Sequence, residues 1–154
     1  MLEPLFKKWA NQVDFVFFGY CPDTLKKYAK EIHSGVSVQA YPKKLAELAC
    51  EWDLAIAPLE DNMFNRCKTA LKLLEYGWCG LPVLCSNVGP YQDKNFPVIR
   101  VNNKFSEWDK ALQMLLSDKD HTFQLGLELQ RHVQNYWTFT PDIAQNWLQA
   151  WTLQ

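Results

Sequence analysis

Three cations and a carboxylate stand close together in the middle of the chain: Arg66, Lys68, Lys72 and Glu75. They fall in a stretch, from about Phe64 to Trp78, that the pattern predicts as one long helix stopped by Gly80. Arg66 and Lys68 then occupy its first turns, where the helix dipole disfavours cations by about 0.3–1 kcal/mol each. Two readings are open. In one, these are solvated charges, with Glu60 or Asp61 as partners and a weak Lys72–Glu75 pair at i, i+3. In the other, an anion held by free N–H groups at the helix start offsets the placement of the cations.

Lys68, Lys72 and Glu75 are spaced i, i+4, i+7, which puts them on one stripe of a helix otherwise made of Cys67, Ala70, Leu71, Leu73 and Leu74. Two lysines and a carboxylate on one stripe suit a phosphorylated sugar. The cations meet phosphate, and the carboxylate accepts from vicinal hydroxyls. No residue is a convincing nucleophile. Cys67 reads as a packing thiol, and Asp53 and Asp61 read as strand-start and loop residues.

The elements needed to hold this stripe follow from the pattern. A helix closing at Lys8–Asn11 precedes a buried strand at Asp14–Gly19. A short helix is expected from Thr24 to Glu31 and a strand over Gly35–Gln39. Lys43–Trp52 is amphipathic, with Leu45, Leu48, Ala49 and Trp52 at helical spacing. Strands follow at Asp53–Pro58, Pro82–Ser86 and Val98–Val101, and the polar loop Leu59–Met63 leads into the long helix. Ser106 is expected to cap a helix with Trp108, Ala111, Leu112, Leu115 and Leu116 inward. A further helix spans about His121–Tyr136. Thr140 with Pro141 opens a last one through Trp151. Strands alternating with helices predict an α/β fold: a Rossmann-like parallel sheet of about five strands, flanked by helices and ending in helices. Ligands bind such sheets beyond the carboxyl ends of the strands, where the Leu59–Met63 loop lies.

The whole chain, 1–154, reads as one domain. It is 48% hydrophobic and 21% charged, as folded domains are. A net charge of −1 and a pI near 6.3 argue against a general nucleic-acid binder. No apolar run approaches the ~20 residues of a membrane span. The N-terminus lacks the basic, apolar and small-residue order of a signal peptide, so the cytoplasm is the expected location. Five cysteines without a CxxC pair and three scattered histidines offer no zinc-like spacing; reduced, mostly buried thiols are expected, and no metal. Of the seven tryptophans, Trp147 and Trp151 lie one turn apart on the last helix and are expected to pack in the core.

The segment Asp53–Leu59, the run Phe64–Ser86 with Asn65, Lys68, Lys72, Glu75, Gly80 and Pro82, and then Gly89-Pro90-Tyr91 resemble the C-terminal domain of family 4 glycosyltransferases. The likeness extends over most of the chain. It implies the C-terminal half of a GT-B fold, in which two Rossmann-like domains face a cleft, and a retaining transfer from a nucleotide diphosphate sugar such as a UDP- or GDP-sugar. By that resemblance Glu75 binds the donor ribose, and Asn65, Arg66, Lys68 and Lys72 lie at the donor diphosphate. A second glutamate common in the family is Cys67 here. The family domain also opens with a strand and a glycine-containing loop ahead of the first helix of this chain. The turn after Tyr91 is Gln92-Asp93-Lys94-Asn95-Phe96 instead of glycine-rich.

The implied function is donor binding in a sugar transfer to a glycan or lipid-linked acceptor, without a metal or other cofactor. A missing N-terminal domain or partner chain would bring the acceptor, and the full enzyme would associate peripherally with membranes. The competing expectation is a binding or scaffold module that keeps the fold without turnover. A different Rossmann-like nucleotide binder is a third, lacking support from any GxGxxG or P-loop.

Overall fold

The structure is a computed structural model, and it describes residues 2–152. Helix α1 (Glu3–Trp9) opens with Pro4 in its first turn and turns Leu5, Phe6 and Trp9 inward. Strand β1 (Phe15–Phe18) pairs in parallel with β2 (Ala29–His33), with the single-turn helix α2 (Asp23–Lys26) between them. Helix α3 (Tyr41–Ala49) leads to β3 (Ala55–Ala57). Two short helices, α4 (Met63–Arg66) and α5 (Leu71–Trp78), precede β4 (Val83–Ser86). A 3-10 turn at Gly89–Gln92 and β5 (Ile99–Val101) follow, and then α6 (Phe105–Ser117), α7 (Lys119–Tyr136) and α8 (Pro141–Thr152) close the chain.

The expected α/β class and five parallel strands are present, with a helical C-terminal end. Their hydrogen bonds divide them into two sheets, β1-β2 and β3-β4-β5. Two apolar clusters join these sheets to the helices. Around Trp108, α1 and α6 pack on Phe15 of β1, Leu84 of β4 and Val101 of β5. On the other side Leu73, Leu129 and Val133 of α5 and α7 pack on Ala55, Ala57, Val83 and Cys85. Strand β3 therefore alternates, as a strand covered on both faces must: Leu54 and Ile56 face the first cluster, Ala55 and Ala57 the second.

Several local expectations fail for physical reasons. Thr24–Glu31 is helical only over Asp23–Lys26, because Ala29–His33 is taken by the ladder with β1. Pairing overrides the helix propensity of Ala, Lys and Glu there, and the exposed Lys30 and Glu31 make β2 a charged edge. Gly35–Gln39 is not a strand; it runs as irregular chain into a turn before α3, where the Ser37 hydroxyl accepts from the Ala40 N–H. Ser106 does not cap α6. That helix starts one residue earlier, with Lys104 at the cap position and no side-chain cap. Thr140 does cap α8 through its hydroxyl, which accepts from the Ile143 N–H.

The α5–α7 seam depends on two glycines. The chain leaves α5 through a Schellman turn: the Leu81 N–H bonds the Tyr76 carbonyl, the Gly80 N–H bonds that of Gly77, and Gly80 has φ +75°. A Cβ on Gly126 of α7 would lie 2.2 Å from the Gly80 carbonyl oxygen and 2.9 Å from the Pro82 nitrogen. These are backbone atoms, held by that turn. Gly126→Ala is therefore expected to destabilise by about 3 kcal/mol, the upper end for overpacking. A lowered urea midpoint with unchanged slope measures it; an unchanged midpoint refutes the close approach.

Candidate functional site

The predicted helix from Phe64 to Trp78 is broken, and this relocates the cations. Asn62 caps α4, its side-chain oxygen accepting from the Asn65 N–H at 2.9 Å. The buried Asn65 side chain turns back and donates to the Glu60 carbonyl at 2.8 Å. The N–H groups of Cys67 and Lys68 then bond carbonyls three residues back, Phe64 and Asn65, and this tightening closes α4 after one turn. Residues 67–70 link α4 to α5. Arg66 is thus the last residue of α4, the favourable end for a cation, and it grips Asp61 through two bonds of 2.6 and 2.9 Å. Those bonds hold Asp61 below the usual carboxylate range. Arg66 belongs to the ion-paired reading.

Lys68 lies in the link, off the predicted stripe, with its ammonium 4.8 Å from the Phe64 ring centre. Among the described residues it has no carboxylate partner. Cys67 sits at the C-terminal cap of α4 and is exposed, so it is not the packing thiol expected. Of the five free thiols, Cys21 and Cys85 are buried, Cys79 is half-buried, and Cys50 and Cys67 are exposed. Burial pushes Cys85 up to about 12.

Lys72 and Glu75 do share a face, in α5, and a third residue completes them. The Lys72 ammonium donates to the Tyr41 hydroxyl at 2.7 Å and to Glu75 Oε2 at 2.9 Å; Tyr41 donates to the same oxygen at 3.0 Å. Glu75 Oε1 has no hydrogen-bond partner among the described residues. The Lys72 ammonium also lies 5.0 Å from the Tyr41 ring and 5.8 Å from that of Tyr76. Burial by itself lowers the Lys72 ammonium, but the bonds to Tyr41 and Glu75 outweigh it and hold the group above the ordinary lysine range. Tyr41 opens α3 and stacks on Phe18, the last residue of β1, with ring centres 4.7 Å apart and planes 2° apart. Burial raises the Tyr41 hydroxyl.

The sequence reading missed Tyr41 and Phe18. Their signal is positional: one ends a strand and the other opens the next long helix, both at the end of the sheet where ligand loops gather.

A second missed feature supports the loops. The Leu59 N–H donates to Ser86 Oγ at 2.8 Å, Ser86 Oγ donates to Asn103 Oδ1 at 2.7 Å, and Asn103 Nδ2 donates to the Leu59 carbonyl at 2.8 Å. Ser86 is fully buried. This ring ties the chain just after β3, β4 and β5 together, and so fixes where the Leu59–Met63 loop starts. The segment after Tyr91 is ordered by Arg100, whose guanidinium donates to the carbonyls of Tyr91, Asp93, Phe96 and Val98. Four bonds from one side chain hold this segment in place.

Trp147 and Trp151 are not in the core. Helix α8 buries no residue, and both rings are exposed, 6.2 Å apart. Among the described residues no helix is long and apolar enough to cross a membrane.

Comparison with known proteins gives the family. Residues 2–118 match the family described as glycosyl transferases group 1. The chain is also similar to a D-inositol 3-phosphate glycosyltransferase of Rhodococcus opacus (strain B4). The two are 27% identical over 130 residues, which cover 79% of this chain and 28% of that protein. The chain therefore spans under a third of the curated relative's length.

Proposed function

Since the chain belongs to the group 1 glycosyl transferase family, we propose that it is the donor-binding domain of a retaining glycosyltransferase. The full enzyme moves a sugar from a nucleotide diphosphate sugar, such as a UDP- or GDP-sugar, to a glycan or lipid-linked acceptor. The observation that carries this reading is the Glu75 carboxylate. Both protein donors meet Oε2, and Oε1 is left to accept from a ligand. A largely buried carboxylate with one open oxygen beside an ammonium suits the vicinal hydroxyls of a ribose.

The diphosphate belongs one turn away, at the start of α5. Ala70 supplies no side-chain cap there, so the first N–H groups of the helix are available to an anion. Lys68 in the link and Lys72 in the first turn supply the cations. Asn65 shapes the loop through its bond to Glu60, and Arg66 reaches phosphate by exchanging Asp61 for it. Catalysis by this half is positioning of the donor and stabilisation of the departing diphosphate. The acceptor and the remaining machinery come from a second domain or partner chain. The reading gives no metal or cofactor a part.

A non-catalytic binding module is the second reading, favoured by the exposed Trp147, Leu148 and Trp151 of α8. Isothermal calorimetry of the chain against UDP, GDP and their sugar conjugates separates the two. Binding of one diphosphate in the micromolar-to-millimolar range is expected. No heat with any nucleotide, from a chain that melts cooperatively, sinks the donor site and leaves the binding module.

A further inference from the structure

Two of the five free thiols stand at matching places in the fold. Cys50 is the C-terminal cap of α3, and Cys79 is that of α5. Both helices cover the same face of the β3-β4-β5 sheet, since Ala49 of α3 and Cys79 pack in one apolar cluster with Ala55 of β3 and Val83 of β4. Those strands are neighbours: Ala55 is paired with Val83, and the Ala55 N–H bonds the Pro82 carbonyl at 2.9 Å. Short links, 51–54 and 80–82, separate the two cysteines from these paired strand starts. Both therefore lie at the end of the sheet where its strands begin, opposite the Leu59–Met63 loop.

The two thiols also feel each other. Burial raises the Cys79 thiol, and next to burial the largest cause is the charge of Cys50, ahead of that of Glu75 one turn back on the same helix. Cys50 is exposed, whereas the Glu75 carboxylate is largely buried, so water screens Cys50 more. Its larger effect means that it is the nearer group. The remaining thiols are placed differently. Cys21 and Cys85 are buried, and Cys67 caps α4, beyond the far end of α5.

Their exposure suits oxidation in two steps. Cys50 is open to a dissolved reagent, and its Sγ donates a weak bond to the Ala46 carbonyl at 3.2 Å that it can exchange. Cys79 is half-buried, sheltered from a bulky reagent but beside Cys50. A cross-link here acts on helices that already touch. Tyr41 opens α3 and Glu75 lies in α5, and the two bond at 3.0 Å. Joining the C-terminal caps ties the same two helices at a second point.

We propose that Cys50 and Cys79 form an oxidation site, joined as a disulfide by a low-molecular-weight disulfide such as oxidised glutathione. The Cys50 thiolate attacks one sulfur of the oxidant. The oxidant's S–S bond breaks, and one glutathione leaves with the proton that Cys50 gave up. The Cys79 thiolate then attacks the Cys50 sulfur of the mixed disulfide, and the second glutathione leaves in the same way. The two protein thiols lose two electrons and two protons, and the oxidant gains both as two thiols. The disulfide holds α3 against α5 and so keeps Tyr41 at Glu75.

The test is incubation of the folded 154-residue chain with oxidised glutathione, then mass spectrometry of the intact protein and of its unreduced tryptic peptides. Loss of two hydrogens is expected, with no glutathione retained on either residue and with the Cys50 and Cys79 peptides linked. Closing a loop of about thirty residues should raise the melting temperature by roughly 7–14 °C, and dithiothreitol should reverse the rise. Cys50→Ser, at an exposed position, should melt like the reduced wild-type chain and show no rise with the oxidant. Reaction that stops at glutathione adducts overturns the proposal. So does a disulfide between two copies of the chain. A melting temperature unchanged or lowered by the Cys50–Cys79 link also overturns it, because the bond would then have to drag the helices from their native places.

Discussion

Glu75→Ala is expected to weaken binding of the nucleoside diphosphate by roughly 10- to 150-fold. A hydrogen bond to a charged group contributes about 1.5–3 kcal/mol, and 1.4 kcal/mol is tenfold in affinity. The substitution also leaves the half-exposed Lys72 ammonium with Tyr41 as its one remaining hydrogen-bond partner. The loss of stability should still be modest, because the Lys72 ammonium left behind is half-exposed to water and keeps its bond to Tyr41. Melting and binding therefore separate: affinity falls steeply while the melting temperature moves little. Tyr41→Phe is the companion variant. It removes one donor to Oε2 and leaves the carboxylate, so its effect on affinity should be several-fold at most. Calorimetry at fixed ionic strength measures both. Unchanged affinity in folded Glu75→Ala would reduce the carboxylate to a structural partner of Lys72.

The pH dependence follows from the direction of the Lys72 shift. Its folded value lies above the ordinary 10.5, so its favourable contribution is complete below that range and is lost only as pH rises through the folded value. Lys72 consequently contributes no change in binding across neutral pH.

Trp108→Ala is expected to cost about 3–5 kcal/mol, a large share of the ~5–15 kcal/mol available to a domain. Trp108 has no exposed surface and lies where α1, α6, β1, β4 and β5 meet, so it is common to both sheets. At about 2–4 °C per kcal/mol, the melting temperature should fall by roughly 6–20 °C. Its indole N–H is buried without a partner among the described residues. Trp108→Phe removes that orphaned donor while keeping a ring, and should cost clearly less than alanine. Equal losses for the two variants would mean that the indole fills no space that phenyl can reach. A shift under about 3 °C for alanine would mean that the two sheets are not held through this residue.

The elements that sequence reading located best are those whose apolar period is long. Helix α6 displays Trp108, Ala111, Leu112 and Leu115 on one face, and all four are buried. Strands β3, β4 and β5 were legible as short apolar runs bounded by proline or glycine. The failures share a cause. Ala29–Glu31 reads as helix because its propensities are local, and its strand state comes from pairing with β1. Phe64–Trp78 reads as one helix because nothing in the pattern marks the three-residue bonds of the Cys67 and Lys68 N–H groups that end the first turn. Helix α8 has the pattern of a packed helix yet no partner face among the described residues.

By itself the sequence determined the class of fold, the family likeness and the Lys72–Glu75 pair. Each of these rests on residue type and on spacing within a few turns of chain. Only tertiary structure decided that Tyr41 stands against that pair, that Lys68 leaves the helix, and that Ser86, Leu59 and Asn103 close a ring. It also decided that the five parallel strands hydrogen-bond as two sheets. The physical reason is one of range. Propensity and periodicity are summed over neighbours in sequence, whereas the contacts of Tyr41 and of the Ser86 ring join residues from 17 to 44 positions apart. Their partners are chosen by how the packed layers meet.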